Sequence, residues 1–354
     1  MIPKEFQELG VACIECHDNK TMGLRLYHPA ALESFKFIGL DPAQMGRQQM
    51  RSAVCGQCHV TYIIPRDQDM KSMGLFFPWQ GSKPGDISVE NIIKVIKKDP
   101  AVYKSDWGTG EWVQKVTGFK VAFIRHPEYE FYTKNSTHWQ AGVSCADCHM
   151  PYIRVGANKI SDHDVTSPLK TGMKACQQCH TQTPDWLKQR VIAHQDRTAS
   201  LMFRSGYAAA VAAKLFEKVH QAQKDGKQID PKLYEPAKDL YLEALYRVIY
   251  INAENSVGFH NPSEAGRILG DAATMAGRSE ALLRQALAKA GVEVPAVIDL
   301  ELAKYLNKRG KKPLNFRPEQ ELKDPFGIQE KLTPAASLGI AAAPAAPAAE
   351  PKKQ

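Results

Sequence analysis

The stretch Val54-Cys55-Gly56-Gln57-Cys58-His59-Val60-Thr61-Tyr62 sets two thiols three residues apart and follows them at once with an imidazole. In CxxCH the two cysteines share one turn, where they can add to the two vinyl groups of a haem and hold it as thioethers. The histidine then reaches the iron as an axial ligand. The pattern occurs four times, as Cys13/Cys16/His17, Cys55/Cys58/His59, Cys145/Cys148/His149 and Cys176/Cys179/His180, and it uses all 8 cysteines. Paired CxxC knuckles could also build two zinc sites, but zinc does not require a histidine directly after the second cysteine. Haem attachment requires it each time, so the spacing predicts four haem c groups.

Composition sets the bounds around that reading. A chain of 354 residues, 44% hydrophobic, is long enough for a real core in one large domain or two. The formal charge of +8 does not call for nucleic acid. Four haems carry two propionates each, roughly −8 in total, and nearly cancel it. Haem c is attached on the oxidising, outer side of a bacterial membrane, which predicts the periplasm. Yet Met1-Ile2-Pro3-Lys4-Glu5-Phe6 has no basic stretch leading into an apolar one, and no run of about 18 apolar residues follows. The expectation is that an export signal was removed or replaced, or that the true start lies upstream of Met1.

The predicted fold is mainly α: a multihaem cytochrome c with an irregular, haem-packed N-terminal part and long C-terminal helices. Residues 1–182 form the haem-binding region, with short helices after each CxxCH and haem faces serving as the core. Aromatic residues at Phe76-Phe77-Pro78-Trp79 and Ser105-Asp106-Trp107 read as packing on haem edges. Residues 183–310 form a long-helix region. Thr183-Pro184 predicts an N-cap and first helical position, with the helix continuing to Gly226 over roughly 60 Å. A second helix is expected from Glu235-Pro236 to near Gly258, and a third from Asn261-Pro262-Ser263-Glu264 to Gly291. Such helices pack on each other or on a second subunit. A shorter helix from Pro295 to Asn307 precedes a C-terminal extension, 311–354, whose Ala/Pro-rich tail is expected to be disordered from about Leu332.

A multihaem cytochrome usually grips each iron from both sides, so the seven histidines outside the motifs are candidate distal ligands. His138, His163 and His260 stand in turns or beside a capped helix that would hold an imidazole rigidly, and position alone leaves each of them open. His194 and His220 fall among Gln195, Asp196, Gln221 and Gln223 on a polar helix face and read as solvated, while His28 is undecided. His126 differs, because Arg125-His126-Pro127-Glu128-Tyr129 is a cationic, proton-donating cluster before a proline-fixed turn. A loop salt-bridge cluster would account for it. So would the reduction of an oxyanion, which needs positive charge to hold the substrate and donors for its oxygens; Arg125, His126 and Tyr62 have those chemistries.

With these residues assembled, the chain resembles the ammonia-forming cytochrome c nitrite reductases, periplasmic pentahaem enzymes, from about residue 8 to residue 310. The resemblance is carried by Val54 to Tyr62, Phe77-Pro78-Trp79, Ser105-Asp106-Trp107 and His126-Pro127-Glu128-Tyr129-Glu130. Cys145 to Pro151, Asp162-His163, His260 with Pro262 and Glu264, and Leu269-Gly270 complete it. It implies His163 as distal ligand to the haem on His17, His260 to that on His149, and His138 to that on His180. It implies Tyr62 and His126 as the pocket residues that contact nitrite and deliver protons in its six-electron reduction to ammonium. It also implies a homodimer through the long helices, and an electron donor that is a small periplasmic cytochrome or a quinol-oxidising membrane partner.

Two departures from the family pattern stand out. Beside the active pocket many members bind calcium through a Glu one residue before the tyrosine and a Lys and Gln before the histidine; here those positions are Thr61, Phe123 and Arg125. A site that has lost a carboxylate and gained a guanidinium repels a dication, so no calcium is expected, with the Arg125 charge in its place as in a calcium-independent branch of the family. The family's catalytic haem, a catalytic arginine near it and the distal ligand of the haem on His59 all belong to a segment before Cys13. The expectation is therefore the C-terminal, tetrahaem portion of the enzyme, with a fifth, catalytic haem upstream and incomplete activity from the chain alone. The alternative is a tetrahaem periplasmic electron-transfer cytochrome without substrate chemistry, in which Tyr62 and His126 are dispensable. A multihaem octahaem-type relative acting on hydroxylamine or other nitrogen oxides fits less well, because only four motifs are present.

Overall fold

The computed structural model describes residues 11–65, 71–98 and 112–301. The elements below all lie in one unit that ends at Leu300. The Ser105-Asp106-Trp107 triplet, the extension 311–354 with its tail from 332, and the Met1-to-Phe6 start lie outside the described residues.

Each haem motif is itself the helical turn, rather than the loop before a helix. Cys13–Glu15, Cys55–Gln57 and Cys176–Gln178 are single 3-10 turns, and Cys145–His149 is a short α-helix. Three-residue spacing brings two side chains onto one side of a turn, which is what attachment to a single porphyrin edge demands. Around the motifs run α1 (Pro29–Phe37), α2 (Arg47–Ala53), α3 (Val89–Lys98), α4 (Glu128–Thr133), α5 (Thr137–Gln140) and α6 (Cys145–His149). Two antiparallel hairpins, β1 (Trp112–Val113) with β2 (Lys120–Val121) and β3 (Tyr152–Val155) with β4 (Asn158–Ser161), carry connecting chain.

The residues between the cysteines fasten each motif to the next. Gln57 accepts from the amides of Tyr27 at 2.5 Å and His28 at 3.0 Å and donates to the Glu15 carbonyl at 2.9 Å, tying the first motif to the second. Asp147 accepts from Gln48 at 2.5 Å and from the buried Arg51 at 2.9 Å, so α2 ties the second motif to the third. Gly56 is required for another reason. A Cβ there would meet the Tyr129 ring at 2.6 Å, so only glycine lets α4 close over this motif.

The aromatic cluster is not haem-edge packing. Trp79 is wholly buried, stacked on Tyr129 at 5.6 Å and set edge-on to Phe35 at 5.3 Å, with Phe77 at 5.2 Å. Its indole N–H donates to Glu130 at 3.0 Å. The N-terminal part thus owns a protein core as well as haem sites, and burying rings of this size stabilises it by about 1.5–3 kcal/mol apiece. Helix α3 adds to that core through Val89, Ile92, Ile93 and Ile96, which recur at helical spacing and are buried. On its other face Glu90 pairs with Arg247 and Arg267.

Three long helices follow: α7 (Pro184–Lys224), α8 (Pro231–Ala253) and α9 (Pro262–Lys289). Thr183 caps α7 by accepting from the Trp186 amide at 3.3 Å, and 41 residues give it a length of about 60 Å. Asn261 caps α9 by accepting from the Glu264 amide at 3.4 Å. Helix α8 starts earlier than expected, because Asp230-Pro231 supplies the cap and first position, and Pro236 lies inside the helix. It ends at Ala253, five residues before Gly258, and α9 ends at Lys289 rather than Gly291. From Pro295 to Glu301 the chain is not helical, and Leu302 to Asn307 lie outside the described residues.

The long helices pack on each other through small residues. Ala209, Ala244 and Ala276, one from each helix, form a common cluster. Ser205 donates to the Leu269 carbonyl and Ser279 to that of Ala237, both at 2.8 Å. His220 is not simply solvated. It lies against Phe119 and Phe216 and hydrogen-bonds the Tyr234 hydroxyl at 2.9 Å. His194 is half-buried, 6.2 Å from the Phe259 ring. His28 pairs with Glu15 at 3.0 Å just before α1.

Candidate functional site

The four CxxCH turns lie in chain order, each beside the next. The Cys55 thiol hydrogen-bonds Cys145, and that contact, with burial, pushes its pKa up. The Cys16 thiol is pushed up by burial and then by Cys58 nearby. Cys148 is pushed up to about 12, by burial and then by Cys176. All eight thiols are free of disulfides although they cluster.

The protein itself does not cover the motifs equally. Cys13, Cys58 and Cys179 are exposed, while their five counterparts are partly covered. Cys179 follows the Cys176–Gln178 turn, in which no residue is buried, and His180 beside it is exposed as well. The reason is position: this last motif stands at the edge of the haem-binding region, held through Gln178 to the Tyr152 carbonyl at 3.5 Å and followed directly by α7. An exposed thiol at this edge is open to a vinyl group.

Three pairs of imidazoles face each other across matching gaps. Ring centroids are 6.2 Å apart for His17 and His163, 6.1 Å for His149 and His260, and 6.2 Å for His138 and His180. Two metal–nitrogen bonds of about 2 Å, plus about 1.1 Å from each nitrogen to its ring centre, add to roughly 6.2 Å, the separation of two imidazoles sharing one iron. Ligands this far apart in sequence have no local reason to match one another, so the residues fit haem.

Hydrogen bonds at Nδ1 orient several of these rings. His17 bonds the Met22 carbonyl at 2.8 Å, His149 that of Thr166 at 3.0 Å and His163 that of Ser161 at 2.9 Å. Each leaves Nε2 for a metal. His260 does the same through a carboxylate, Glu254, at 2.5 Å. Glu254 is buried, and it also accepts from the Ser256 and Gly258 amides and the Ser256 hydroxyl. Burial opposes charge on His260, but the bond to Glu254 together with the charges of Glu254, Cys145 and Glu128 raises the imidazole's pKa.

His59 has a different neighbour. Its ring is 5.9 Å from that of His126, but both turn their Nδ1 atoms to one carboxylate, Glu128, at 3.4 Å and 4.0 Å. They therefore meet by their Nδ1 edges rather than across a metal at Nε2. Burial alone would raise the Glu128 carboxyl, but bonds from His59 and backbone amides hold it below the usual carboxylate range. These three side chains have their ligand atoms within 4.8 Å of one another.

Arg125 and Tyr62 come together, while the ring of His126, the next residue, meets His59, Glu128 and Asn255. The Arg125 guanidinium donates to the Tyr62 carbonyl at 3.2 Å and lies between two rings, Tyr62 at 5.1 Å and Phe123 at 4.8 Å. The Ala122 amide donates to the buried Tyr246 hydroxyl of α8 at 3.0 Å, which anchors the strand leading to this cluster. His126 has φ +45°, a left-handed backbone that costs on the order of 1–3 kcal/mol, and the Glu128 amide bonds back to its carbonyl at 2.8 Å. Next to it Thr61 is buried and donates its amide to Glu130 at 2.8 Å. Burial pushes the Glu130 carboxyl up to about 8 against the bonds from Trp79 and Thr61.

With this geometry in view, residues 2–336 match the family model described as cytochrome c552. The chain belongs to the cytochrome c552 family. Among its relatives, the cytochrome c nitrite reductase subunit NrfA of Nitratidesulfovibrio vulgaris is 36% identical over 279 residues, 74% of this chain and 50% of that one. The cytochrome c-552 of Porphyromonas gingivalis is 30% identical over 287 residues, 80% of this chain and 53% of its own length. A solved cytochrome c nitrite reductase from Desulfovibrio desulfuricans, in which two calcium sites are described, superposes with a TM-score of 0.69 at 29% identity. That likeness covers 92% of this chain and 66% of the other. The chain spans about half the length of the curated relatives it matches. Among the described residues no helix is long and apolar enough to cross a membrane.

Glu254, Asn255 and Glu128 are the site residues that sequence reasoning missed as actors. Only Glu128 had a signal, its place two residues after His126.

Proposed function

We propose that this cytochrome c552 family chain carries the haem relay and one wall of the nitrite pocket of an ammonia-forming nitrite reductase. The observation that carries this reading is Arg125, clamped between the Tyr62 carbonyl and two rings, next to His126. A fixed cation stacked on a phenol can hold an oxyanion, and the imidazole of the next residue has the chemistry to donate hydrogen bonds to its oxygens as they leave. Bound haem c supplies one-electron redox chemistry at the four CxxCH turns. His17 with His163, His149 with His260, and His180 with His138 are the proposed axial pairs, and His59 is the proximal ligand of the remaining haem. The close sequence of turns supports a relay that passes electrons from one end of the chain to the pocket. A haem-binding region, 1–182, and a long-helix region, 183–310, that forms a homodimer interface complete the reading, with the periplasm as location and a small cytochrome or quinol-oxidising membrane partner as donor.

The test is nitrite turnover by the natural holoenzyme with reduced viologen as donor. Ammonium should form at six viologens oxidised per nitrite. Full haem loading with no nitrite consumed would leave an electron-transfer cytochrome instead.

Arg125 also bears on calcium. Its guanidinium already takes the Tyr62 carbonyl, and burial disfavours charge on Glu130 beside Thr61, which supports the side chain itself supplying the positive charge here. Elemental analysis of the holoenzyme is expected to find no calcium at this site; one ion lost together with activity on chelation, and restored with it, would overturn the assignment.

A further inference from the structure

Asn255, the second residue after α8, donates its side-chain amide to Glu128 and lies 3.3 Å from Nδ1 of His126; its backbone amide also reaches Glu128, at 3.1 Å. The amide cannot be turned over, because its oxygen would then face the Glu128 carboxylate. One amide hydrogen therefore goes to Glu128 and the other points at Nδ1 of His126, which must accept it. We propose that Asn255 is a positioning residue that locks His126 as the tautomer protonated on Nε2. His126 then presents a fixed N–H to the substrate while its Nδ1 is withheld from proton exchange. This rests on the reading of His126 as a substrate-facing donor.

The neighbourhood explains why a lock is needed. His126 is exposed, its backbone is left-handed, and a carboxylate stands 4.0 Å from Nδ1. Left alone, Glu128 would draw the ring proton to Nδ1 and leave a bare Nε2, which cannot donate to an oxyanion. Asn255 occupies both partners at once and reverses that preference. Glu128 meanwhile remains bonded to His59, so the donor and the electron relay share one carboxylate.

The experiment is 15N-histidine NMR on the reduced holoenzyme saturated with carbon monoxide, in which the ferrous haems are low-spin and diamagnetic. The His126 signal is assigned by its loss in His126→Gln. In the wild type, His126 should carry its proton on Nε2. In Asn255→Ala the proton should move to Nδ1, with kcat for nitrite falling about 10- to 100-fold and KM little changed. Asn255→Asp is isosteric, lacks the donor and should switch the tautomer in the same way, which guards against a folding defect in the alanine variant. A wild-type ring already protonated on Nδ1, or no switch in either variant, overturns the proposal. A tautomer switch in an enzyme that does not reduce nitrite would instead overturn the function and leave Asn255 in its role.

Discussion

Replacing His126 by alanine is expected to lower kcat for nitrite by about 100- to 1,000-fold, the usual consequence of removing one preorganised donor aimed at a developing negative charge. The side chain lies outside the packed core, more than half exposed, so its loss should leave haem content and thermal stability near those of the wild type. Truncation should relieve little strain, because the bond from the Glu128 amide to the residue 126 carbonyl does not involve the ring. Steady-state kinetics with reduced viologen, alongside a haem count and a melting curve, would check it. A variant within threefold of the wild type would mean that the Arg125 cluster is a loop salt bridge and nothing more. His126→Gln, which keeps a donor of different reach, should fall between the two.

The second large effect concerns Glu254. Its carboxylate lies wholly inside the protein and holds Nδ1 of His260 at 2.5 Å, with three further donors from the same turn. A carboxylate partner makes the imidazole a stronger electron donor and favours the more positive iron. Glu254→Gln keeps the shape and removes the charge. A bond to a charged group is worth about 1.5–3 kcal/mol, and 1.4 kcal/mol corresponds to about 59 mV for one electron. The potential of the haem at His149 should therefore rise by about 60–130 mV, while the haem at His17, whose partner Nδ1 atoms meet carbonyls, should not move. Spectroelectrochemical titration resolves the two. An unchanged potential at His149 would show that His260 is not the ligand on that iron.

Much of this was legible because the decisive signals are local. CxxCH is a five-residue pattern, and Thr183-Pro184 and Asn261-Pro262 start helices by caps that involve only the next three residues. The reading failed where the meaning of a residue lies in a distant partner. Trp79 and Phe77 announce an aromatic cluster, but nothing nearby says that Phe35 and Tyr129 cover it instead of a porphyrin. Glu235-Pro236 imitated a helix start, while the true one, Asp230-Pro231, lay one turn earlier. His220 stands among glutamines in sequence, yet Tyr234 and Phe119 approach it in space. Asn255 was invisible for the same reason, since its partner Glu128 is 127 residues away.

The pairing of distant histidines also gives the protein an order of assembly. On the axial pairs proposed here, the thioether bonds and the proximal ligand of every haem come from five consecutive residues, so a porphyrin can be captured by a chain that has no tertiary structure. The sixth ligand comes from far away: His163 must return to His17, and His260 must wait for the turn after α8. Gly56 marks where closure ends, because Tyr129 settles directly on that turn while Cys58 and His59 stay exposed. On those pairs attachment can precede closure, with half-ligated, high-spin haems as the visible sign of chains still in transit.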